Sequence, residues 1–530
     1  MTSQTTTKWW TLGVVSVATF MLLLDITVVN TALPAIEEDL HASFTDLQWV
    51  VDAYTLTLAA VVLTAGVLAD RLGRRRVFAI GLGIFSIASL VAGLASDPTF
   101  LNIARGAQGV GGAVMFAVSL ALIAQEFPAG RERGMAMGVY GATIGLAVAF
   151  GPLVGGVIVD SLGWEWIFFL NVPIGVAAIA ISYLRVRESR DPNATGVDWP
   201  GLITFSSALF ALVLALIRGN EEGWGSTFIV GLLAAAVVLL AAFIAIEQRV
   251  AEPMLPLGLF KRPAFTGVQL AAFGISGSMF ALFLYLTLYL QNFLGHSPTE
   301  AGLRYLPLTV AVFLVAPIAG ALLSKVHARL MISLGLLGAG GGLLLMAGVG
   351  MADEWTGLLG GFIVAGAGIG LLNPVIADVA VSVVPKEQSG MASGINDTFR
   401  QVGVSVGVAV WGAIFLGAGS SKVEELTGFG ADRSRGLVEA VSSGNLDQAL
   451  TQVPAGSRAQ VADAAREGFL AGFNDIAVYG AVLAFAAAIA AFFLVRERDI
   501  ERGALVEEAE VEPEVIEHAP AAAIPEPVAA

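Results

Sequence analysis

Fourteen apolar runs of membrane-spanning length follow one another along this 530-residue chain, at 11–35, 47–69, 77–95, 99–125, 135–159, 165–184, 200–217, 227–246, 264–291, 304–324, 330–350, 356–382, 390–416 and 470–495. A bilayer core accepts about 20 apolar residues as a helix. These runs read as membrane-crossing helices, so an all-α membrane protein is expected. Charge agrees: 13% of the residues are charged, against about a quarter in a soluble protein.

Between the second and third runs lies Gly66-Val67-Leu68-Ala69-Asp70-Arg71-Leu72-Gly73-Arg74-Arg75-Arg76. Four arginines wedged between two membrane-length segments belong on the cytoplasmic side. Fifteen Lys and Arg, from Arg71 to Lys386, fall in the short loops on that side, whereas the opposite short loops hold only Arg218 and Arg304. With an even number of crossings, both termini are expected in the cytoplasm. The N-terminal apolar stretch contains Asp25 and runs past Asn30, so it reads as a retained first helix rather than a cleaved signal.

Gly320-Ala321-Leu322-Leu323-Ser324-Lys325-Val326-His327-Ala328-Arg329 echoes Gly66–Arg75, with Ser324 in the place of Asp70 and His327 in that of Gly73. Two related six-helix halves follow from such a repeat. The expected division is a half at 1–184, a linker with two extra helices at 185–263, and a half at 264–498. A long loop at 417–469 has an Ala-rich run near 459–469 that reads as a helix lying on the outer surface. The acidic segment 499–530 reads as a disordered tail.

The chain has no cysteine and four scattered histidines, so thiolate catalysis, disulfides and clustered metal ligands have nothing to build on. No G-x-x-x-x-G-K-[ST] loop is present, which argues against ATP as an energy source. No enzyme chemistry, cofactor or nucleic-acid site is expected.

A few polar residues interrupt the apolar runs. Asp25 sits about fourteen residues into the first run, near the bilayer midplane at about 1.5 Å per residue. A carboxylate there costs several kcal/mol unless it is paired, hydrated or protonated. A group that exchanges a proton as its surroundings change is what proton coupling needs; an Asp pinned by a polar neighbour is the plainer alternative. Arg105 shares a helical face with Gln108, Gly109 and Gly112. It either tunes Asp25 or snorkels to the surface. Asp397 and Arg400, three apart, are placed to pair within one helix, and Asp397 is a second candidate for the proton. Tyr285, Tyr289 and Asn292 form one stripe. With Asn30, Tyr54, Gln108 and Asn373 they are candidates to line a cavity, although such a stripe also suits packing. Gly151, Pro152, Gly155 and Gly156 allow close helix approach and a bend. Asp70 is placed to meet the electropositive N-terminus of the run at 390–416, latching one half to the other. Gly66, Arg71, Gly73 and Arg75 join Asp70 as gate candidates. Asp378 and Asp52 are weaker candidates.

These motifs together resemble the fourteen-helix drug:proton antiporter family of the major facilitator superfamily. Leu24–Pro34 resembles its helix 1 motif, Gly66–Arg76 its loop motif, Arg105–Gly112 its helix 4 motif and Gly151–Gly156 its helix 5 motif. The resemblance implies the superfamily fold, with two six-helix halves plus two inserted helices. It also implies proton-driven export of amphiphilic or cationic small molecules by a monomer across a bacterial plasma membrane. Asp25 and Arg105 would serve the proton. A dedicated exporter of one natural product, siderophore or envelope lipid shares the same motifs. Two departures stand out: Glu165 replaces a usually basic residue, and Asp397 a usual amide.

Overall fold

The computed structural model describes residues 2–500, apart from 129, 192–196, 251–252 and 324. The tail expectation therefore lies outside the described residues from 501 onward. All regular structure among the described residues is helical. The long helices are α1 (Thr2–Leu40), α2 (Phe44–Leu72), α3 (Arg74–Gly93), α4 (Pro98–Glu126) and α5 (Arg131–Leu162). There follow α6 (Trp166–Arg185), α7 (Trp199–Glu222), α8 (Thr227–Glu247), α9 (Pro263–Phe293) and α10 (Leu306–Leu322). The last four are α11 (Ala328–Met346), α12 (Leu359–Ser382), α13 (Ser389–Thr427) and α14 (Arg458–Leu494). Twelve helices among the described residues are long and apolar enough to cross a membrane. The apolar helix α10 is shorter, at 17 residues. Helix α5 is 32 residues long.

Helices α1–α6 form one bundle, in which α1 packs on α4, α5 and α6, while α2 and α3 pack on α4. Helices α9–α14 form the other, with α10 on α12, α11 between α12 and α14, and α13 against α9 and α14. The halves meet where α5 lies on α10 and α12 and where α2 lies on α13. Helices α7 and α8 pair with each other, and α7 leans on α2 and α13. The Thr64 and Ser206 hydroxyls tie α2 to α7 at 2.8 Å.

The loop at 417–469 departs from expectation. Helix α13 continues to Thr427 and α14 begins at Arg458, so the Ala-rich run is the first part of α14 rather than a separate surface helix. Two features hold these extensions together. Gly419 and Gly468 let the helices touch backbone to backbone, and the helix Ala431–Ser442 buries Leu437, Val438 and Val441 between them.

Candidate functional site

Asp25 and Arg105 are brought together inside the first half. Arg105 Nη1 donates to Asp25 Oδ2 at 2.6 Å. Gln108 Nε2 and Asn171 Nδ2 each donate to Asp25 Oδ1 at 3.0 Å. Arg105 also donates to the Val50 carbonyl at 2.9 Å and to Gln108 Oε1 at 2.7 Å. Its guanidinium lies over the Tyr54 ring, 4.4 Å from the centroid. Gln108 donates to Ser89 Oγ at 2.7 Å. Every member is buried: Asp25 is 4% exposed, and Arg105 1%. Arg105 therefore does not snorkel. A buried ion pair offsets its desolvation only when geometry and extra hydrogen bonds are good, and here both charges have neutral partners as well.

Helix spacing explains the assembly. Arg105 and Gln108, three apart, project from one face of α4. Gly109 and Gly112 continue that face and let α2 approach. A Cβ on Gly109 would collide with Thr57 and the Tyr54 carbonyl, and one on Gly112 would lie 2.9 Å from the Tyr54 hydroxyl. Sequence reasoning missed Asn171 and Ser89, because a lone amide or serine in an apolar run carries no pattern.

A second constellation closes the seam at the end of the basic loops. Asp70 accepts from the backbone N–H groups of Gly390 and Met391 at 3.0 and 2.7 Å. The carboxylate thus caps the N-terminus of α13, where the helix dipole favours negative charge. Arg74 grips Asp70 Oδ1 through Nε and Nη2 at 2.9 and 2.8 Å, and donates to the carbonyls of Lys386 and Glu387 at 2.8 and 2.9 Å. Gly66 rests on the backbone of Gly390, and Gly134 on that of Gly320. Gly73 adopts φ 114°, a left-handed conformation that favours glycine, with the Glu188 carboxylate beside it.

Two gate candidates point elsewhere. Arg71 donates to the Pro253 carbonyl at 3.3 Å, and Arg75 engages Glu188 and the Val186 carbonyl. The arginine on Asp70 is Arg74, because four residues bring it back over the helix junction at Gly73. A further tie was not anticipated. Arg133 on α5 donates to Asp378 on α12 at 2.8 Å and to Ser382 Oγ at 2.6 Å, joining the halves through a buried ion pair.

A small cleft lies between the halves. Gly141, Ile144 and Gly145 of α5, Phe280 and Phe283 of α9, Leu308, Thr309 and Val312, and Ile369 and Asn373 of α12 line it. Of the cavity candidates, Asn373 is on its wall. Tyr54 and Gln108 are instead in the Asp25 cluster, and Asn30 is exposed with its amide toward the Ile26 carbonyl. Tyr285 and Tyr289 are buried inside the second half, Tyr285 tilted against Phe415 and Tyr289 stacked on Phe473, at 5.3 and 5.1 Å between ring centroids. Asn292 donates to the Ser442 carbonyl. The stripe is a real face, turned toward α13 and α14. Phe283, two residues from Tyr285 and about 200° round the helix, faces the cleft. π-helical turns at Ser276–Phe280 and Tyr289–Phe293 further rotate the register of α9.

Asp397 and Arg400 form no ion pair within 4 Å among the described residues. Arg400 turns to Asn396 and Asn373 at 3.2 and 3.1 Å, and Asp397 Oδ2 is buried without a hydrogen-bond partner. Gly151 and Gly155 of α5 face α1: a Cβ on Gly151 would collide with Thr27, and one on Gly155 with Thr31. Gly156 would bring a Cβ 3.0 Å from Thr299 Oγ1. Pro152 lies within α5, its side chain outside the described residues. No group of three or more His, Cys, Asp or Glu placed to hold a metal occurs among the described residues.

Comparison with known proteins places this geometry in context. Residues 15–408 match the family model described as Major Facilitator Superfamily. The chain is 34% identical to the tetracenomycin C resistance and export protein of Streptomyces glaucescens, over 93% of this chain and 92% of that one. It is 35% identical to the multidrug resistance protein Stp of Mycobacterium tuberculosis, over 79% and 78%. It is 32% identical to the multidrug efflux pump LfrA of Mycolicibacterium smegmatis, over 92% and 96%. The human organic anion transporter MFSD10 has the same fold, with a TM-score of 0.58 at 15% identity, covering 92% of this chain and 99% of that one.

Proposed function

The chain belongs to the major facilitator superfamily, a family of multi-pass membrane transporters rather than enzymes, and we propose that it exports amphiphilic or cationic drugs in exchange for protons. The setting is a bacterial plasma membrane, crossed fourteen times with both termini in the cytoplasm. The protein acts as a monomer, without ATP.

The observation that carries this reading is the buried Asp25–Arg105 pair. Arginine does not deprotonate under these conditions, so the exchangeable proton falls to the carboxylate. Protonating Asp25 cancels its attraction for Arg105 and leaves a guanidinium to be satisfied by Val50, Gln108 and the Tyr54 face. The helices that hold those groups, α1, α2, α4 and α6, must then readjust. That couples a proton to the packing of the first half. Rocking of the halves around the cleft requires the gate at Asp70, Arg74 and Arg133 to release. Asp397, buried with one oxygen unpartnered, supplies a second protonatable carboxyl beside that seam.

Cargo enters the cleft between Phe280, Phe283, Ile144 and Val312, with Asn373 as its polar contact. The alternative is a dedicated exporter of one natural product. It is favoured by the likeness over nearly the whole chain to a protein named for one antibiotic, tetracenomycin C. Reconstitution in liposomes with a pH gradient, comparing wild type with Asp25→Asn, tests the reading. Resistance to chemically unrelated compounds separates the broad exporter from the dedicated one.

A further inference from the structure

The two inserted helices carry a pair of carboxyls that the transport reading does not use. Asp198 is the N-cap of α7; its Oδ1 accepts from the Gly201 N–H at 2.9 Å. Glu247 is the last residue of α8; its Oε2 accepts from the Leu255 N–H at 3.3 Å. Both residues are more than nine-tenths buried, at 5% and 6% exposed. The remaining oxygens, Asp198 Oδ2 and Glu247 Oε1, are buried without a hydrogen-bond partner. They converge on one spot. A Cβ on Gly201 would collide with the first and sit 3.2 Å from the second. Neither carboxyl has a Lys, Arg or His within ion-pair distance among the described residues.

Two facing carboxylates in a dry pocket repel strongly, and one proton between them converts repulsion into a hydrogen bond. The pocket also reaches the gate. Leu255 and Pro253 belong to the same short segment after α8, and the Pro253 carbonyl accepts from Arg71 at 3.3 Å. On the other side, the segment before α7 caps the gate loop. Ser189 accepts from the Arg74 N–H at 2.9 Å, the Asp191 N–H donates to the Asp70 carbonyl at 2.7 Å, and Glu188 accepts from the Arg75 N–H at 3.0 Å. Both ends of the inserted helical pair are thus fastened to residues 70–75.

We propose that Asp198 and Glu247 bind one proton between them, and that this proton holds the inserted helices against the gate loop. With the proton bound, the carboxyls close the base of the pair, and Pro253 keeps its contact with Arg71. When the cytoplasm turns alkaline the proton leaves, the carboxylates repel, and the Pro253–Arg71 contact loosens. Among the described residues, the charged groups that face Glu247 are Asp198 from α7 and Arg71 from α2. The site is a regulatory proton site on the gate, apart from the transported proton at Asp25.

The chain has no native cysteine, so labels can be placed without removing any. Arg187 and Lys325 are exposed, on either side of the seam. Spin labels at Arg187→Cys and Lys325→Cys, in liposomes without substrate, report gate separation as pH is raised through neutrality. The expected result is a growing separated population in the otherwise native chain. In Glu247→Gln and Asp198→Asn that transition is lost or moves by more than tenfold in proton concentration. Gly201→Ala, which forces the carboxyls apart, holds the separated state at every pH. No transition in the native background overturns the proposal. So does an unchanged one in both carboxyl variants, or a pH-dependent closed state in Gly201→Ala. The readout needs no cargo, so failure of the drug-export reading would leave this result distinct.

Discussion

Gly66 meets Gly390 backbone to backbone across the seam between the two halves, with no room for a Cβ between them. The repeated motif produces the same meeting again. Gly320, the counterpart of Gly66 in the second half, lies on Gly134 at the start of α5. The pairs α2–α13 and α5–α10 are therefore related contacts, each closed on glycine. Gly66→Ala should force the halves apart at this end. Overpacking costs about 1–3 kcal/mol, enough for roughly a tenfold shift in the open–closed equilibrium. Accessibility of a single cysteine introduced at Asn373 to a membrane-impermeant thiol reagent from the cytoplasmic side measures it. Gly134→Ala or Gly320→Ala should give the same direction.

Arg133 and Asp378 join the halves at the second contact. Breaking a pair across a seam affects only the closed form. Arg133→Gln and Asp378→Asn should each raise cytoplasmic accessibility. The double variant should be less than additive, with a coupling of about 0.5–3 kcal/mol. A double-mutant cycle on that accessibility checks it, and full additivity would mean the two residues act independently.

Arg105→Lys should lose coupled transport despite keeping the charge. A lysine ammonium cannot reproduce the fork that reaches Asp25, Gln108 and Val50 together. Each lost charge-assisted hydrogen bond is worth about 1.5–3 kcal/mol, so efflux should fall by at least tenfold. Gradient-driven efflux in liposomes, normalised to inserted protein, provides the measurement.

Phe283→Ala and Asn373→Leu should reorder the ranking of exported compounds, because both residues line the cleft. Tyr289→Phe should leave that ranking unchanged, since Tyr289 is buried inside the second half between Phe293 and Phe473. Resistance profiles of cells expressing each variant distinguish these outcomes.

Much of this architecture is legible in the chain because the bilayer restricts the choices. Apolar length marks helices, and spacing on α4 groups Arg105 with Gln108. The expectation that Asp70 meets the N-terminus of the run at 390–416 follows from helix dipoles and from the shared cytoplasmic side of the two ends. Other features depend on rotation and long-range packing. The Tyr285–Tyr289 stripe is correctly a face, yet nothing local says whether it turns to the cleft or to α13 and α14. Among the four arginines of the loop, only the turn at Gly73 decides that Arg74 reaches Asp70. Arg133 and Asp378 lie 245 residues apart in sequence, and no periodicity connects them. Asn171 reaches Asp25 from a helix whose pattern is otherwise that of ordinary membrane packing.

In the proposed mechanism Asp25, held by Arg105, carries the proton that drives export. The most direct test is ethidium movement in proteoliposomes under an imposed pH gradient, with Asp25→Asn alongside and insertion verified for both. The amide keeps the shape of the site and removes the exchangeable proton. Gradient-driven movement in the native protein, abolished in Asp25→Asn, is the predicted result. Equal proton-driven movement by the variant would mean that the coupling proton is carried elsewhere.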